Sequence, residues 1–376
     1  MSDKLIISAD SHVFEPINLW EERLDKRFQD KAPRFIPNYQ DKPGTWFVCE
    51  GLAPKYVGSI AAPGLSKSEL SKFKTFNYKD LRAGGYDPVV RLKDQDMDGI
   101  VAEVLYPTWA MGLYALNDAA FQEACFNAYN DWLAEFCSHA PERLAGLALI
   151  SMLDVDKAVK SLTYWMKRGL KGAMIAHVPP VGPEYSDKMY DPFWAAAAGL
   201  GAPLSLHLLT SARPLTVRVP RGPDGNARYY AEMTHSLQMT IADILGTQML
   251  DRNPKVKFVI AESDTGWIPH LLARLDRGHD RYATLEPSPG KKLPSENFRC
   301  NVAACFIQDR VGIVAREFIG VDNLMWSSDY PHTDSTWPES RKSIEADLKG
   351  VSAEDFRKMT YDNAAKLYGF KTLVPA

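Results

Sequence analysis

The sequence contains no apolar run of the roughly 18 residues that a transmembrane helix needs. Cysteine is scarce, with five residues and no C-x-x-C pair among Cys49, Cys125, Cys137, Cys300 and Cys305. An odd, scattered set is typical of a reducing compartment, where thiols are buried as small apolar residues. The amino terminus, Met-Ser-Asp-Lys, does not read as a signal peptide. We therefore expect a soluble, cytoplasmic protein that has no membrane as a partner.

An excess of charge of one sign is also missing, because 47 acidic residues face 44 basic ones and the net charge is −3. Such a balance gives no reason to expect nucleic acid or an anionic membrane surface as a partner. Hydrophobic residues make up 45% and charged residues 24% of the 376 positions, which is a globular composition with enough material for a sizeable core.

Short apolar runs recur along the chain and predict buried strands. They lie at Leu5–Ala9, Gly99–Tyr106, Leu144–Ile150, Gly172–Ala176, Pro203–Leu206, Val256–Ala261 and Leu324–Ser328, with a weaker eighth run at Arg299–Phe306. Segments whose apolar residues have helical spacing lie between several of these runs, at Asn117–His139, Asp154–Arg168 and Ala231–Leu245. This alternation predicts an α/β protein, a (β/α)₈ TIM barrel. A doubly wound open sheet is the rival, but the sequence has neither a G-x-G-x-x-G fingerprint nor a P-loop.

Two predicted connections are far longer than the usual few residues. Residues 13–98 follow the first strand and Leu208–Glu232 follow the fifth, at the face where barrels build active sites. We interpret the first as a lid-like insertion; decorative surface loops or an oligomer contact are the alternatives. The second contains arginines that could pair with a substrate carboxylate, namely Arg213, Arg218, Arg221 and Arg228. No domain boundary is evident, so residues 1–376 are predicted to form one barrel domain.

Four predicted strands end in residues that bind metals. The first ends Ala9-Asp10-Ser11-His12, where Asp10 and His12 point the same way as alternate residues of a strand, and later strands end at His207, Glu262 and Asp329. Each of these residues alone has an ordinary interpretation as a hydrogen-bonded histidine or a helix cap. Together at one barrel mouth, however, their carboxylates would repel one another and need a cation. The pattern therefore predicts a site for a divalent metal.

The same residues lie in segments that resemble the amidohydrolase-related family that includes aminocarboxymuconate semialdehyde decarboxylase and the resorcylate-type decarboxylases. The matching segments are ISADSHVFEP, AHVPPVGPEYSDKMYDPFWAAAAGLGAPLSLH, VKFVIAESDTGWIPHLLARLD, MWSSDYPHTDSTWP and YDNAAKLYGF. The resemblance runs nearly end to end and is weakest in the insertion after the first strand. It implies a metal-dependent enzyme on a barrel that acts on a small molecule and is commonly a homodimer. Its motifs are specific for the family and poor at identifying the reaction.

Carried over to this chain, the resemblance implies that His12, His207 and Asp329 bind the metal and that Asp10 is the fourth ligand. The ion would be zinc, manganese or iron, with one or two per chain. The chain departs from the family at Glu262, where the decarboxylases usually have a catalytic histidine. Glu262 could bind a second metal ion, act as a general base or orient His207.

Two reactions fit this site, and the glutamate favours hydrolysis narrowly. In that interpretation Asp329 accepts a proton from water activated by the metal, and His177 or Glu262 serves the leaving group of an amide, ester, thioester or lactone of a bulky or aromatic molecule. The alternative is non-oxidative decarboxylation of an aromatic or unsaturated carboxylic acid, with Asp329 protonating the ring. A non-catalytic, ligand-binding barrel is the second alternative. His332 is interpreted as structural, although it could orient a ligand.

Overall fold

The computed structural model describes residues 5–65, 69, 75–180, 182–211, 226–282, 285 and 290–371 of the chain. Its strands are, in chain order, β1 (Ile7–His12), β2 (Arg34–Pro37), β3 (Thr45–Val48), β4 (Lys55–Tyr56), β5 (Ala102–Tyr106), β6 (Leu144–Leu149), β7 (Gly172–Val178), β8 (Leu204–Ser211), β9 (Phe258–Ala261), β10 (Val302–Phe306) and β11 (Leu324–Trp326). Strand β1 and strands β5 to β11 form one eight-stranded sheet in sequence order, and its neighbouring strands pair in parallel.

The two edges of this sheet meet where the last residues of β1 contact the segment that follows β11. The backbone N–H of Asp329 donates to the carbonyl of Asp10 at 3.0 Å, and that of His12 donates to the carbonyl of Tyr330 at 2.6 Å. These bonds join the first and last strands and nearly close the sheet on itself. The predicted (β/α)₈ barrel is therefore confirmed.

Helices alternate with the barrel strands. They are α1 (Leu19–Arg23), α2 (Pro88–Asp98), α3 (Ala119–Cys137), α4 (Val155–Lys167), α5 (Asp191–Leu200), α6 (Asn226–Glu232), α7 (His235–Gly246), α8 (Met249–Arg252), α9 (Ile268–Tyr282), α10 (Pro294–Asn301), α11 (Arg310–Val314), α12 (Arg316–Ile319), α13 (Ser340–Asp347), α14 (Ala353–Arg357) and α15 (Asn363–Tyr368). Aspartate caps begin several of them; the carboxylate of Asp118 accepts from two backbone N–H groups of α3, and that of Asp154 accepts from one of α4. Within the described ranges, no helix is long and apolar enough to cross a membrane.

Strand β1 ends at His12, as predicted, whereas β8 continues past His207 to Ser211. The side chains of Asp10, His12 and His207 are polar but buried in the barrel mouth. The helix predicted at Ala231–Leu245 is divided between α6 and α7.

The segment between β1 and α2 contains a small antiparallel sheet in the order β2–β3–β4. Aromatic rings attach this sheet to the barrel, because Phe35 lies 4.9 Å from Trp109, centroid to centroid. The segment also contacts the loop after β11, where the N–H of Thr333 donates to the carbonyl of Ile60 at 2.9 Å. Its function as a lid stays a prediction. Of the arginines predicted after the fifth strand, Arg213, Arg218 and Arg221 lie outside the described residues, and Arg228 pairs with Glu232.

The backbone of this segment also lies close to buried side chains at Gly84. A methyl group on Gly84 would collide with Asp94 Oδ2 and lie 2.6 Å from Tyr330 Oη. We expect Gly84→Ala to lower the free energy of unfolding by about 1–3 kcal/mol, because overpacking forces buried neighbours apart. Urea unfolding measures the change. The control is Gly278→Ala in α9, where nothing lies within 4 Å and alanine should stabilise the helix by about 0.5–1 kcal/mol. Equal effects at both sites would contradict the expectation.

Candidate metal centre and active site

Side chains from β1, β8 and the segment after β11 converge at the barrel mouth. The Nε2 atom of His12 lies 3.5 Å from Asp10 Oδ1, 3.1 Å from Asp329 Oδ1 and 3.3 Å from His207 Nε2. All four residues are buried. Two overlapping sets of potential metal donors lie within 4.8 Å of one another, Asp10 with His12 and His207, and His12 with Asp329 and His332. The four residues predicted from the strand ends are thus brought together.

The two imidazoles of this cluster approach each other through their Nε2 atoms, and each of these atoms carries a lone pair. The Nδ1 atom of His12 lies 2.6 Å from the carbonyl oxygen of Pro107, and that of His207 lies 3.0 Å from the carbonyl oxygen of Leu208. A carbonyl oxygen only accepts, so each Nδ1 carries the hydrogen and each Nε2 a lone pair. Burial lowers the pKa of His12 and of His207 to about 3, so both rings are neutral near pH 7. Two lone pairs at 3.3 Å repel, and a cation between them would make the arrangement favourable.

The carboxylates of the cluster would also be stabilised by a cation. Asp10 Oδ1 and Asp329 Oδ1 are buried and have no hydrogen-bond partner among the described residues. Burial, followed by the charge of Asp329, raises the pKa of Asp10 well above its usual range. Burial also raises the pKa of Asp329, with His12 acting in the opposite direction. Unpaired buried carboxylates are costly, and two imidazoles with two carboxylates are a donor set that zinc, manganese and iron accept. The residues therefore fit a divalent metal ion.

Glu262 lies at the rim of this cluster, directly after β9. Its Oε2 atom is 3.3 Å from His207 Nε2, and 23% of its side chain is exposed, whereas His207 is fully buried. Burial, then the charges of Asp329 and Asp10, raises the pKa of Glu262 well above its usual range. Because the Leu208 carbonyl already accepts the Nδ1–H of His207, Glu262 contacts the nitrogen that faces the centre. This position favours metal binding or proton transfer over orientation of the ring.

His332 belongs to the cluster more closely than the sequence indicated. Its ring stacks on that of His12 with centroids 3.9 Å apart, and its Nδ1 atom lies 3.2 Å from Asp329 Oδ1. The Nε2 atom is 3.0 Å from Thr108 Oγ1. The spacing of three residues after Asp329 was the available signal, but Thr108 follows a different strand and nothing in the sequence connects the two.

The sequence profile of the amidohydrolase family matches residues 83–370, which include every residue of this cluster except those of β1. This chain belongs to the amidohydrolase family.

Proteins similar to this amidohydrolase include decarboxylases. It is 26% identical over 290 residues to gamma-resorcylate decarboxylase from Polaromonas sp., covering 70% of this chain and 84% of the relative. An amidohydrolase from Mycobacterium avium subsp. paratuberculosis superimposes with a TM-score of 0.78 at 23% identity, covering 97% of this chain and 99% of the other. A 5-carboxyvanillate decarboxylase from Novosphingobium aromaticivorans, complexed with manganese and 4-hydroxy-3-methoxy-5-nitrobenzoic acid, has a TM-score of 0.69 at 20% identity and covers 98% and 97%. The two structural matches establish a shared fold.

His177, the remaining candidate in this amidohydrolase, has a separate set of partners. Its Nε2 atom lies 2.8 Å from Ser236 Oγ and its Nδ1 atom 3.2 Å from Thr210 Oγ1. The residue is buried, and burial lowers its pKa to about 4. It is in neither of the two donor sets within 4.8 Å. A direct catalytic function of His177 stays a prediction.

A network of buried polar and charged side chains contacts the backbone of His12. The Arg91 guanidinium donates to the carbonyl of His12 at 2.7 Å and to Glu103 Oε2 at 2.6 Å, and it lies 4.6 Å from the centroid of the Tyr330 ring. Gln95 donates to the same Glu103 oxygen at 2.6 Å. The sequence did not single out these residues, because polar side chains on the inner face of α2 contradict the usual amphipathic pattern.

Proposed function

We propose that this amidohydrolase is a metal-dependent, non-oxidative decarboxylase of a hydroxylated aromatic carboxylic acid. The observation that carries the proposal is the pair of imidazole lone pairs 3.3 Å apart, next to two carboxylate oxygens that lack partners. Such a group needs a cation. The choice of reaction is supported by the named relatives, which are decarboxylases of aromatic acids. They favour the decarboxylase alternative over the hydrolase that the sequence alone favoured narrowly.

The proposed ligands are Asp10, His12, His207 and Asp329. Manganese is the first ion to test, since a structural neighbour contains it. A divalent cation at this position supplies Lewis-acid polarisation of the substrate's carboxylate and adjacent hydroxyl oxygens.

Asp329 is proposed as the proton donor. Asp329 is buried at the barrel mouth with its Oδ1 atom 3.1 Å from His12 Nε2, so its carboxyl group is placed to pass a proton to a bound substrate. This proton adds to the ring carbon that carries the carboxylate. The bond between that carbon and the carboxylate then breaks, its electron pair returns to the ring, and carbon dioxide leaves. Water restores the proton on Asp329. Glu262, at the open side of the cluster, contacts the substrate or assists the proton transfer.

Hydrolysis is the second candidate reaction, and the partly exposed position of Glu262 favours it. An acid with 23% of its side chain exposed at the mouth can give a proton to a leaving group, which decarboxylation does not require. In this reaction Asp329 takes the proton of the attacking water. The substrates are the aryl esters, amides, thioesters and lactones expected from the sequence.

The test is an assay of protein stripped with a chelator and reloaded with Mn²⁺. We expect carbon dioxide release from gamma-resorcylate or 5-carboxyvanillate that disappears on stripping and returns on reloading, because the acidic cluster cannot bind an anionic substrate without the cation. The same preparations are given aryl esters, amides and lactones. Hydrolysis without carbon dioxide release would replace the proposal by the second candidate. No bound metal and no turnover would support the non-catalytic barrel.

A further inference from the structure

Strand β8 bulges immediately after His207. Ala176 of β7 pairs with His207, but Val178, two residues later, pairs with Ser211, four residues later. The two extra residues of β8 are accommodated by Leu209, whose φ of 62° is in the left-handed region that a residue with a Cβ atom rarely adopts. Bulges that persist next to a site commonly aim a side chain.

Thr210 closes this bulge with hydrogen bonds. Its hydroxyl donates to the carbonyl of His207 at 2.7 Å and accepts from the backbone N–H of His177 at 3.0 Å. In the same bulge the Nδ1–H of His207 donates to the carbonyl of Leu208 at 3.0 Å. The bulge therefore fixes both the backbone and the ring of His207, and the ring orientation decides where its Nε2 lone pair points.

The donors and acceptors in the hydrogen bonds between Thr210, His177 and Ser236 can be assigned. Since the hydrogen of the Thr210 hydroxyl is used by the His207 carbonyl, the Nδ1 atom of His177, 3.2 Å from Thr210 Oγ1, must donate to it. The Nε2 atom of His177 then accepts from the Ser236 hydroxyl at 2.8 Å. Thr210 and His177 are completely buried, so water does not compete for the bond between them.

We propose that Thr210 is a positioning residue, supported by His177, which holds the His207 imidazole in the orientation needed for metal binding. The inference rests on the metal centre of the proposed function and adds a residue that contacts neither the ion nor the substrate. Groups that orient metal-binding histidines typically contribute a factor of about 10–100 to metal affinity.

The test is the affinity for Mn²⁺ of Thr210→Val, which keeps the shape and removes the hydroxyl. The affinity is measured by competition with a chelator, with free Mn²⁺ monitored by electron paramagnetic resonance. We expect the affinity of Thr210→Val for Mn²⁺ to be about 10–100-fold lower than that of the wild type. Thr210→Ser, which restores the hydroxyl, should recover most of the affinity. The matched control is Thr163→Val in α4, whose hydroxyl also donates to a carbonyl, that of Val159 at 2.8 Å; its affinity should not change.

Circular dichroism and thermal melting separate a positioning function from a purely structural one. Folded Thr210→Val with wild-type affinity, even at a lower melting temperature, would overturn the inference and leave the proposed function intact. Wild-type protein that binds no Mn²⁺ would overturn both. Should Thr210→Val not fold, the smaller Thr210→Ala replaces it, with the same loss of affinity expected and the same outcome contradicting it.

Discussion

Replacement of Asp329 by asparagine should lower kcat by about a thousandfold, with the protein still folded. The amide keeps the size of the side chain and one oxygen, but it cannot hold or release the proton that both candidate reactions require. Positioned acids and bases contribute about 10²–10⁴ to enzymatic rates. Turnover is measured with whichever substrate the Mn²⁺-loaded wild type converts, and the metal content of both proteins is measured by elemental analysis.

Asp322→Asn is the control for this substitution, because Asp322 is exposed and precedes β11 at the opposite end of the barrel. It should leave turnover and metal content unchanged. The analysis also counts ions. About one per chain would leave Glu262 free as a proton carrier, whereas about two would assign it to a second ion. Asp329→Asn with full metal content and near-normal turnover would remove Asp329 from the reaction.

Arg91→Met should lower the free energy of unfolding by about 3–5 kcal/mol. Arg91 and Glu103 form an ion pair at 2.6 Å whose side chains are 0% and 3% exposed. Removal of the arginine leaves the glutamate charged and buried beside Gln95, and loss of one member of a buried pair has this typical cost. The carbonyl of His12 also loses its donor. Urea unfolding, monitored by tryptophan fluorescence, measures the effect.

Two further variants make this expectation specific. Arg357→Met removes an ion pair with Asp362 whose side chains are 70% and 34% exposed, and it should cost about 0–1 kcal/mol. The double variant Arg91→Met with Glu103→Gln removes both charges and should recover much of the loss. A double variant as unstable as Arg91→Met alone would show that the cost comes from lost packing and not from an unpaired charge.

The barrel and the convergence of its site were predictable because both follow from local patterns. Alternating apolar strands and amphipathic helices indicate parallel β-α units, and parallel strands direct their carboxyl ends to one face. Asp10, His12, His207 and Asp329 could therefore be grouped without knowing any distance. The eighth strand, the weakest in the sequence, is present as β10. The homodimer and the cytoplasmic location stay predictions.

What could not be predicted depends on contacts between distant segments. His332 stacks on His12, and Arg91 bonds to the carbonyl of His12, through side chains that no periodicity relates. The bulge at Leu209 follows an apolar run that gives no sign of a left-handed residue. The choice between reactions was also out of reach, because Glu262 suits either one and its environment depends on three strands at once.

The joining of β1 to β11 has a consequence for synthesis of the protein. Asp10 and His12 are synthesised long before Asp329, because β1 precedes β11 with the other barrel strands between them. Until then the early carboxylate and imidazole have no partner across the seam, and the nascent chain cannot form the full centre. A polypeptide that terminates before β11 should therefore be unable to acquire the complete ligand set.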